Sequence, residues 1–105
     1  KIEHMNYNFK YHDVQASASL ETFAKEKMDK LVNKYDFIVR ADIFFKTENT
    51  SSDDTGKKCG IRLSAPGPRL FAESNSKNFH EAVAVCVKEL DTQLHKRKDK
   101  MKSHY

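Results

Sequence analysis

Long apolar runs, targeting signals and paired cysteines are all missing from this chain. No stretch approaches the roughly 20 apolar residues that span a bilayer, and the chain does not open with a signal-peptide pattern. Its two cysteines, Cys59 and Cys86, form no C-x-x-C pair and show no Cys/His spacing suited to zinc. Cys86 falls within an apolar run, where a buried reduced thiol is expected. These absences predict a cytoplasmic protein with no metal site and no structural disulfide.

The motifs of well-known enzyme classes are missing as well. The three glycines lie at predicted strand ends and turns, and none belongs to a G-x-x-x-x-G-K-[ST] or G-x-G-x-x-G loop. His80 and Glu81 are adjacent, but Ala84 stands where the H-E-x-x-H zinc motif has its second histidine. A cysteine nucleophile would need an organised base nearby, and sequence alone does not reveal one. We therefore predict no enzyme activity, no cofactor and no small-molecule substrate.

The positive charge of the chain is concentrated at one end. The whole chain has 19 Lys and Arg against 15 Asp and Glu, a formal net charge of +4. The stretch LHKRKDKMKSH, at 94–104, holds five of these bases and one acid, which leaves 14 of each for the rest of the chain. Such asymmetry suggests an electrostatic partner, either nucleic acid or an anionic membrane, although a solvated helix end has the same composition.

Four β-strands are predicted from short segments with strand character. MNYNFKY alternates apolar and polar residues, which is the period of a half-buried strand, and three later segments are similar. A polar, acidic, glycine-containing stretch at 47–57 is expected to be a mobile loop between hairpin strands. The predicted strands cover 5–11, 38–46, 58–64 and 69–74.

Two amphipathic helices are predicted from apolar residues spaced three and four apart. The first has Ser17 as its N-cap and runs to about Lys34, and the second opens with a capping box of Asn78 and Glu81. The apolar seam of the second helix ends near Leu94, while helical propensity continues. A basic helical extension, about 94–105, is therefore expected to project beyond the core. Its bases point in several directions around the axis: Lys96, Arg97, Lys98, Lys100 and Lys102.

These elements define one predicted domain over 1–105. Its length and its 38% hydrophobic content suit a single compact fold with a modest core. The order is β-α-β-β-β-α, and each helix needs an apolar surface to cover. We predict an α+β domain with a four-stranded, antiparallel-rich sheet and both helices packed on one face.

The composition of the extension favours phosphate contacts over base recognition. It contains four lysines and one arginine, with no aromatic residue before Tyr105. Base recognition favours planar Arg, Asn or Gln and stacking aromatics, whereas phosphate contacts need reach and positive charge. This favours structured RNA recognised by shape, with salt-sensitive affinity. The alternative is a module whose amphipathic second helix docks a protein partner or an anionic membrane.

Several motifs resemble those of one protein family, the short ribosome hibernation promoting factors and ribosome-associated inhibitor A, also called the sigma-54 modulation protein family. The resemblance covers nearly the whole chain, from strand one to about Lys100. The end of the first helix is similar to a basic-Leu-x-Lys-Leu-x-Lys-aromatic pattern, and the second helix to a Leu-x-x-Gln-Leu-x-Lys ending. The segments are KMDKLVNKY (27–35), SAPG (64–67), LFAES (70–74) followed by NFHEAV (78–83), and ELDTQLHKRKDK (89–100).

This resemblance implies a fold, a partner and a set of contact residues. It implies a fold like that of double-stranded RNA-binding domains, and binding to the small ribosomal subunit between head and body. Contact with rRNA where tRNA and mRNA would lie holds ribosomes inactive during stress or stationary phase. A monomer off the ribosome, with no membrane partner, is expected. The matched basic positions are Lys27, Lys30, Lys34, Lys96 and Lys100, to which the charge argument alone adds Arg97, Lys98 and Lys102.

Overall fold

The predicted order of elements is confirmed by the structure. A computed structural model describes residues 5–51 and 55–102. The strand limits differ from the predicted ones by up to two residues, chiefly because β2 begins later and β4 ends later than their apolar patterns. The elements are β1 (Asn6–His12), α1 (Ala18–Lys34), β2 (Arg40–Thr47), β3 (Lys57–Ser64), β4 (Leu70–Ser76) and α2 (Phe79–Lys102).

The four strands form one sheet in the order of the chain, β1-β2-β3-β4. β1 is parallel to β2, which is possible because α1 provides the crossover between them, and the other two pairs are antiparallel. Side chains alternate between the two faces of the sheet. On β2, Ala41, Ile43 and Phe45 are buried on one face. Asp42 and Phe44 point to the opposite face.

Both helices cover the same face of the sheet, as predicted. Leu20, Ala24, Met28 and Leu31 of α1 join the buried strand residues in a single core cluster. α2 contributes residues up to Leu94, the last buried residue in the described part of the chain. Burial of a whole Leu or Met side chain stabilises a fold by about 1.5–3 kcal/mol, so this shared core fixes both helices on the sheet.

The two predicted helix starts are confirmed by their capping contacts. The Oγ of Ser17 accepts a hydrogen bond from the backbone N–H of Leu20 at 3.2 Å. The Oδ1 of Asn78 accepts one from the backbone N–H of Glu81 at 2.8 Å. Each cap satisfies one of the N–H groups that have no partner within the first turn of a helix.

The helices run parallel, and α2 extends past α1. Near their first turns, the rings of Phe23 and His80 lie 4.6 Å apart. At the other end of α1, Tyr35 contacts Asp91, and α2 continues from there to Lys102, roughly three turns further. Among the described residues, no other helix lies beside the last turns of α2, where Lys96, Asp99, Lys100 and Met101 are exposed.

Within residues 5–51 and 55–102, no helix is both long and apolar enough to cross a membrane. Residues 52–54 of the polar loop and 103–105 of the basic extension lie outside the described part of the chain. The expected mobility of the 47–57 loop stays a prediction.

Candidate nucleic-acid interface

An open groove separates the C-terminal end of α1 from the second half of α2. It has a volume of about 420 Å³, and three lysines and a histidine stand around it with a single carboxylate. It therefore concentrates positive charge along the seam of the two helices. The lining residues are Lys34, Tyr35, Lys88, Asp91, Thr92, His95 and Lys96.

Asp91 organises this groove. Its Oδ1 accepts a hydrogen bond from the Tyr35 hydroxyl at 2.6 Å and one from Lys34 Nζ at 3.1 Å. The hydrogen bond from Tyr35, followed by the interaction with Lys34, lowers the pKa of Asp91 despite partial burial. In return, Asp91 raises the pKa of Lys34, mainly through the same hydrogen bond. The carboxylate and the ammonium group therefore stay charged at neutral pH, and the ammonium group is held over the groove.

The three lysines predicted on α1 share one face of that helix. Lys27, Lys30 and Lys34 are spaced three and four residues apart, so their side chains project from neighbouring turns. Lys27 Nζ lies 5.4 Å from the centroid of the Phe23 ring, and Lys30 is exposed. Of these three lysines, Lys34 is the one that lines the groove.

The lysines predicted on α2 lie along its overhanging end. Lys96 is exposed and lines the groove, and Lys98 Nζ lies 5.9 Å from the centroid of the Tyr35 ring. Lys100 is exposed, whereas the side chain of Lys102 lies outside the described part of the structure. The described lysines thus extend the charge of the groove along α2.

The guanidinium of Arg97 forms hydrogen bonds within the protein. Its two terminal nitrogens donate to the backbone oxygens of Pro66 and Pro68, at 2.7 and 2.9 Å. Gly67 stands between them with a φ of +94°, and a Cβ there would come within 3.1 Å of the guanidinium. Arg97 therefore ties α2 to the turn between β3 and β4. A guanidinium has five N–H donors, so phosphate contact is compatible with this role.

Several groove residues were not among the predicted contacts. Lys88 lies two helical turns before Lys96, on the same side of α2, and this spacing could have indicated it. His95 was not among the predicted contacts, although it directly precedes Lys96 and lines the same groove. The Asp91 contact with Tyr35 depends on how the helices pack, which a single sequence does not show.

The two cysteines lie in the core, away from the groove. Cys59 and Cys86 are both buried, and each is a free thiol. The Sγ of Cys86 donates a hydrogen bond to the backbone oxygen of Cys59 at 3.3 Å. Interaction with the Cys86 thiol and burial raise the pKa of Cys59, so it is a poor nucleophile. No group of three or more His, Cys, Asp or Glu side chains that could hold a metal ion occurs within 5–51 and 55–102.

A four-stranded sheet with two parallel helices on one face, and lysines along their outer seam, defines a small α+β binding domain. The chain belongs to the Sigma 54 modulation protein / S30EA ribosomal protein family, whose model matches residues 7–102. This confirms the family resemblance of the four sequence segments.

Curated relatives span almost the same length as this chain. It is 24% identical over 99 residues to the "Ribosome hibernation promoting factor" of Pseudomonas putida, covering 94% of this chain and 92% of the relative. It is 26% identical over 100 residues to the protein of the same name from Klebsiella oxytoca, covering 95% of this chain and all of the relative.

Solved structures share the fold at low sequence identity. A ribosomal subunit interface protein from Coxiella burnetii has a TM-score of 0.78 at 22% identity, covering 90% of this chain and 99% of that one. The N-terminal domain of Thermus thermophilus Protein Y has a TM-score of 0.72 at 16% identity, covering 86% and 96%. The likeness to double-stranded RNA-binding domains stays a prediction.

Proposed function

We propose that this protein binds the rRNA of the small ribosomal subunit, occupies the tRNA and mRNA sites, and holds ribosomes inactive under stress or in stationary phase. Membership of the family and the names of its relatives support a factor of ribosome hibernation. The observation that carries the proposal is a basic helical surface on the two parallel helices. We define it by its described side chains: Lys27, Lys30, Lys34, Lys88, Lys96, Lys98 and Lys100.

This surface suits phosphate better than bases. Its lysines are flexible point charges on long stems, which can follow an irregular RNA backbone without reading its sequence. The overhanging end of α2 allows phosphates to approach it from more than one side. Lys34 contributes most if an RNA phosphate replaces Asp91 as its partner or shares the Lys34 ammonium group with it. Asp91 therefore competes with RNA phosphate for Lys34.

The proposed mechanism is steric occlusion and involves no chemical step. A domain bound to the rRNA at the tRNA and mRNA sites leaves no room for either RNA. Its release makes these sites accessible again. Binding by phosphate contacts releases counterions, so affinity falls steeply as salt rises. The protein is proposed to act in the cytoplasm, as a monomer when it is off the ribosome. Arg97 and Lys102 belong to the proposed contact set by the charge argument.

The alternative of docking a protein or a membrane through α2 is not favoured. That reading needs an apolar stripe on the helix that is free to bind a partner. In the described structure Val83, Cys86, Leu90 and Leu94 of this stripe are completely buried against the sheet. The large exposed apolar side chains in the described part of α2, Val85 and Met101, lie too far apart in the helix to form such a face.

Sedimentation with purified ribosomal subunits tests the proposal. We expect the protein to travel with the small subunit at low salt, to be absent from the large subunit, and to dissociate at high salt. Bound protein should also reduce the binding of labelled tRNA and mRNA to the small subunit. Binding to neither subunit at low salt, or binding that leaves tRNA and mRNA unaffected, would refute the proposed occlusion.

A further inference from the structure

The outer face of the sheet carries a second basic surface, on the side opposite the helices. Because both helices pack on the inner face, alternate side chains of the four strands point to solvent. The outward charged residues on the strands comprise five bases and two acids. They are Lys10, Arg40, Lys46, Lys58 and Arg62, with Asp42 and Glu73.

Two phenylalanine rings lie in the middle of this face. Phe44 and Phe71 are stacked, with their centroids 6.2 Å apart and their planes 19° from parallel. The Phe44 ring covers Gly60 of β3, because a Cβ added to that glycine would lie 2.0 Å from the ring. Covering a glycine gives Phe44 a structural role. Phe71 is 41% exposed, on a face that no helix within residues 5–51 and 55–102 covers.

An available cation stands beside each ring. In the strand register Lys10 lies opposite Phe44, and Arg62 lies opposite Phe71. Neither Lys10 nor Arg62 forms an ion pair with a described residue. The centre of the face is therefore aromatic and is flanked by the exposed Lys10 and Arg62, with Asp42 opposite Arg62 in the register.

The two strand acids of this face pair with bases other than Lys10 and Arg62, and Glu48, which follows β2, pairs with Lys46 and Lys58. Asp42 pairs with Arg40 at 3.0 Å, and Glu73 pairs with Lys58 at 3.3 Å. Burial works against the carboxylate of Asp42, but hydrogen bonds from Asn8 and Arg40 outweigh it and lower its pKa. Both acids therefore have ion-pair partners other than Lys10 and Arg62, although the charge of Lys10 also contributes to the lowered pKa of Asp42.

We propose that this outer sheet face binds unpaired RNA, with bases stacked on Phe44 and Phe71 and adjoining phosphates contacted by Lys10 and Arg62. Exposed aromatic rings on a sheet accept any base, and nearby cations hold the backbone. Base-paired RNA cannot offer base faces to the rings. The inference rests on the proposed function only in taking RNA as the partner. With this face, the protein has two RNA-binding surfaces on opposite sides, so RNA could contact the domain from both sides.

A tryptophan reporter tests this face because the chain contains no tryptophan. Phe71→Trp places the reporter in the proposed stack, and Val85→Trp places a control reporter at a 48% exposed position on α2. Each variant is titrated at low salt with a ten-nucleotide oligouridine RNA. We expect saturable quenching of the Phe71→Trp emission and little change in that of Val85→Trp.

Binding of the labelled oligonucleotide is also measured by anisotropy, which needs no tryptophan. Phe71→Ala should weaken binding about 5- to 100-fold, the usual range for loss of one stacking ring. Arg62→Gln should reduce the slope of log affinity against log salt by about 0.7, as expected for one lost phosphate contact on a single strand.

Three results of the titrations with RNA would overturn the proposal. They are an unquenched Phe71→Trp reporter, quenching confined to Val85→Trp, and wild-type oligonucleotide affinity in Phe71→Ala. A blue shift of Phe71→Trp emission with rising protein concentration and no RNA would assign the face to contact between copies, and would also overturn it. Small-subunit sedimentation of the unaltered protein is run in parallel. If the protein sediments with the subunit but fails these tests, only the sheet-face proposal is lost; if it does not sediment, the proposed function fails independently.

Discussion

The hydroxyl of Tyr35 donates a hydrogen bond to Asp91 Oδ1 at 2.6 Å, joining the residue after α1 to the middle of α2. The Tyr35 ring is almost completely buried, with 1% of its surface exposed. The contact therefore belongs to the packing of the two helices as well as to the groove. It sets the distance between the lysines of α1 and those of α2, on which the proposed RNA surface depends.

Loss of this hydrogen bond should destabilise the fold. Tyr35→Phe keeps the ring in the core and removes the donor to a charged acceptor, so we expect the free energy of unfolding to fall by about 1–2 kcal/mol. Tyr7→Phe is the matched control, since it removes a hydroxyl that donates to Asp29 at an exposed site. Its effect should be smaller. Urea unfolding followed by circular dichroism measures both, and equal effects would count against a special role for Tyr35.

The same contact predicts a pH dependence. Because the folded protein lowers the pKa of Asp91, the carboxylate stabilises the fold above its ordinary pKa of about 4. This stabilisation is lost as the pH falls through the lower, folded-state pKa. Asp91→Asn does not titrate, so the stability difference between wild type and variant should shrink below about pH 5. A difference that stayed constant from neutral to acid pH would contradict this prediction.

Removal of the groove's carboxylate should strengthen binding to the small subunit. Asp91→Asn abolishes the charge that competes with phosphate for Lys34, and exposed ion pairs of this kind correspond to roughly two- to fivefold in affinity. Asp29→Asn removes the same charge from α1 at its contact with Tyr7, away from the groove. Co-sedimentation at a fixed salt concentration should show an increase for the first variant and little for the second. Weaker binding by Asp91→Asn would mean that its packing role outweighs its charge.

Arg97 should affect stability more than its neighbours in the extension do. Arg97→Gln removes both hydrogen bonds to the turn carbonyls, and we expect a loss of about 1–2 kcal/mol in the free energy of unfolding. Arg69→Gln removes an exposed arginine from the same turn and should change stability by under about 0.5 kcal/mol. Thermal unfolding compares them. A stable Arg97→Gln variant would show that the turn does not need the guanidinium.

Much of the fold could be predicted from local patterns. The Ser17 and Asn78 caps marked both helix starts because capping acts within one turn. The buried stripe from Val83 to Leu94 followed helical spacing, and its end correctly marked where α2 leaves the core. The parallel pairing of β1 and β2 could not be obtained in this way, because strand direction depends on the crossover path rather than on the strand's own residues.

The candidate site was less predictable than the fold. The lysines were predicted from local charge and from sequence motifs. Only the packing of the helices shows that Lys34 and Lys96 line one groove. The bonds of Arg97 to the Pro66 and Pro68 carbonyls link residues about 30 apart in the chain, and no local pattern indicates them. Phe44 and Phe71 lie on different strands, so their stacking required the register of the sheet.

Salt-dependent binding to the small subunit, compared between wild type and a Lys96→Gln/Lys100→Gln variant, tests the central claim most directly. Point variants are preferable to truncation at Gln93, which would also remove the buried Leu94 and the anchoring Arg97. One phosphate contact for each of the five bases of the extension predicts that the extension alone contributes about −3.5 to −4.5 to the wild-type slope of log affinity against log salt. The double variant should bind more weakly, with a slope shallower by about 1.4 to 1.8, while Lys77→Gln before α2 should match wild type. Unchanged affinity and slope in the double variant would contradict the account, because the end of α2 would then contribute no phosphate contact.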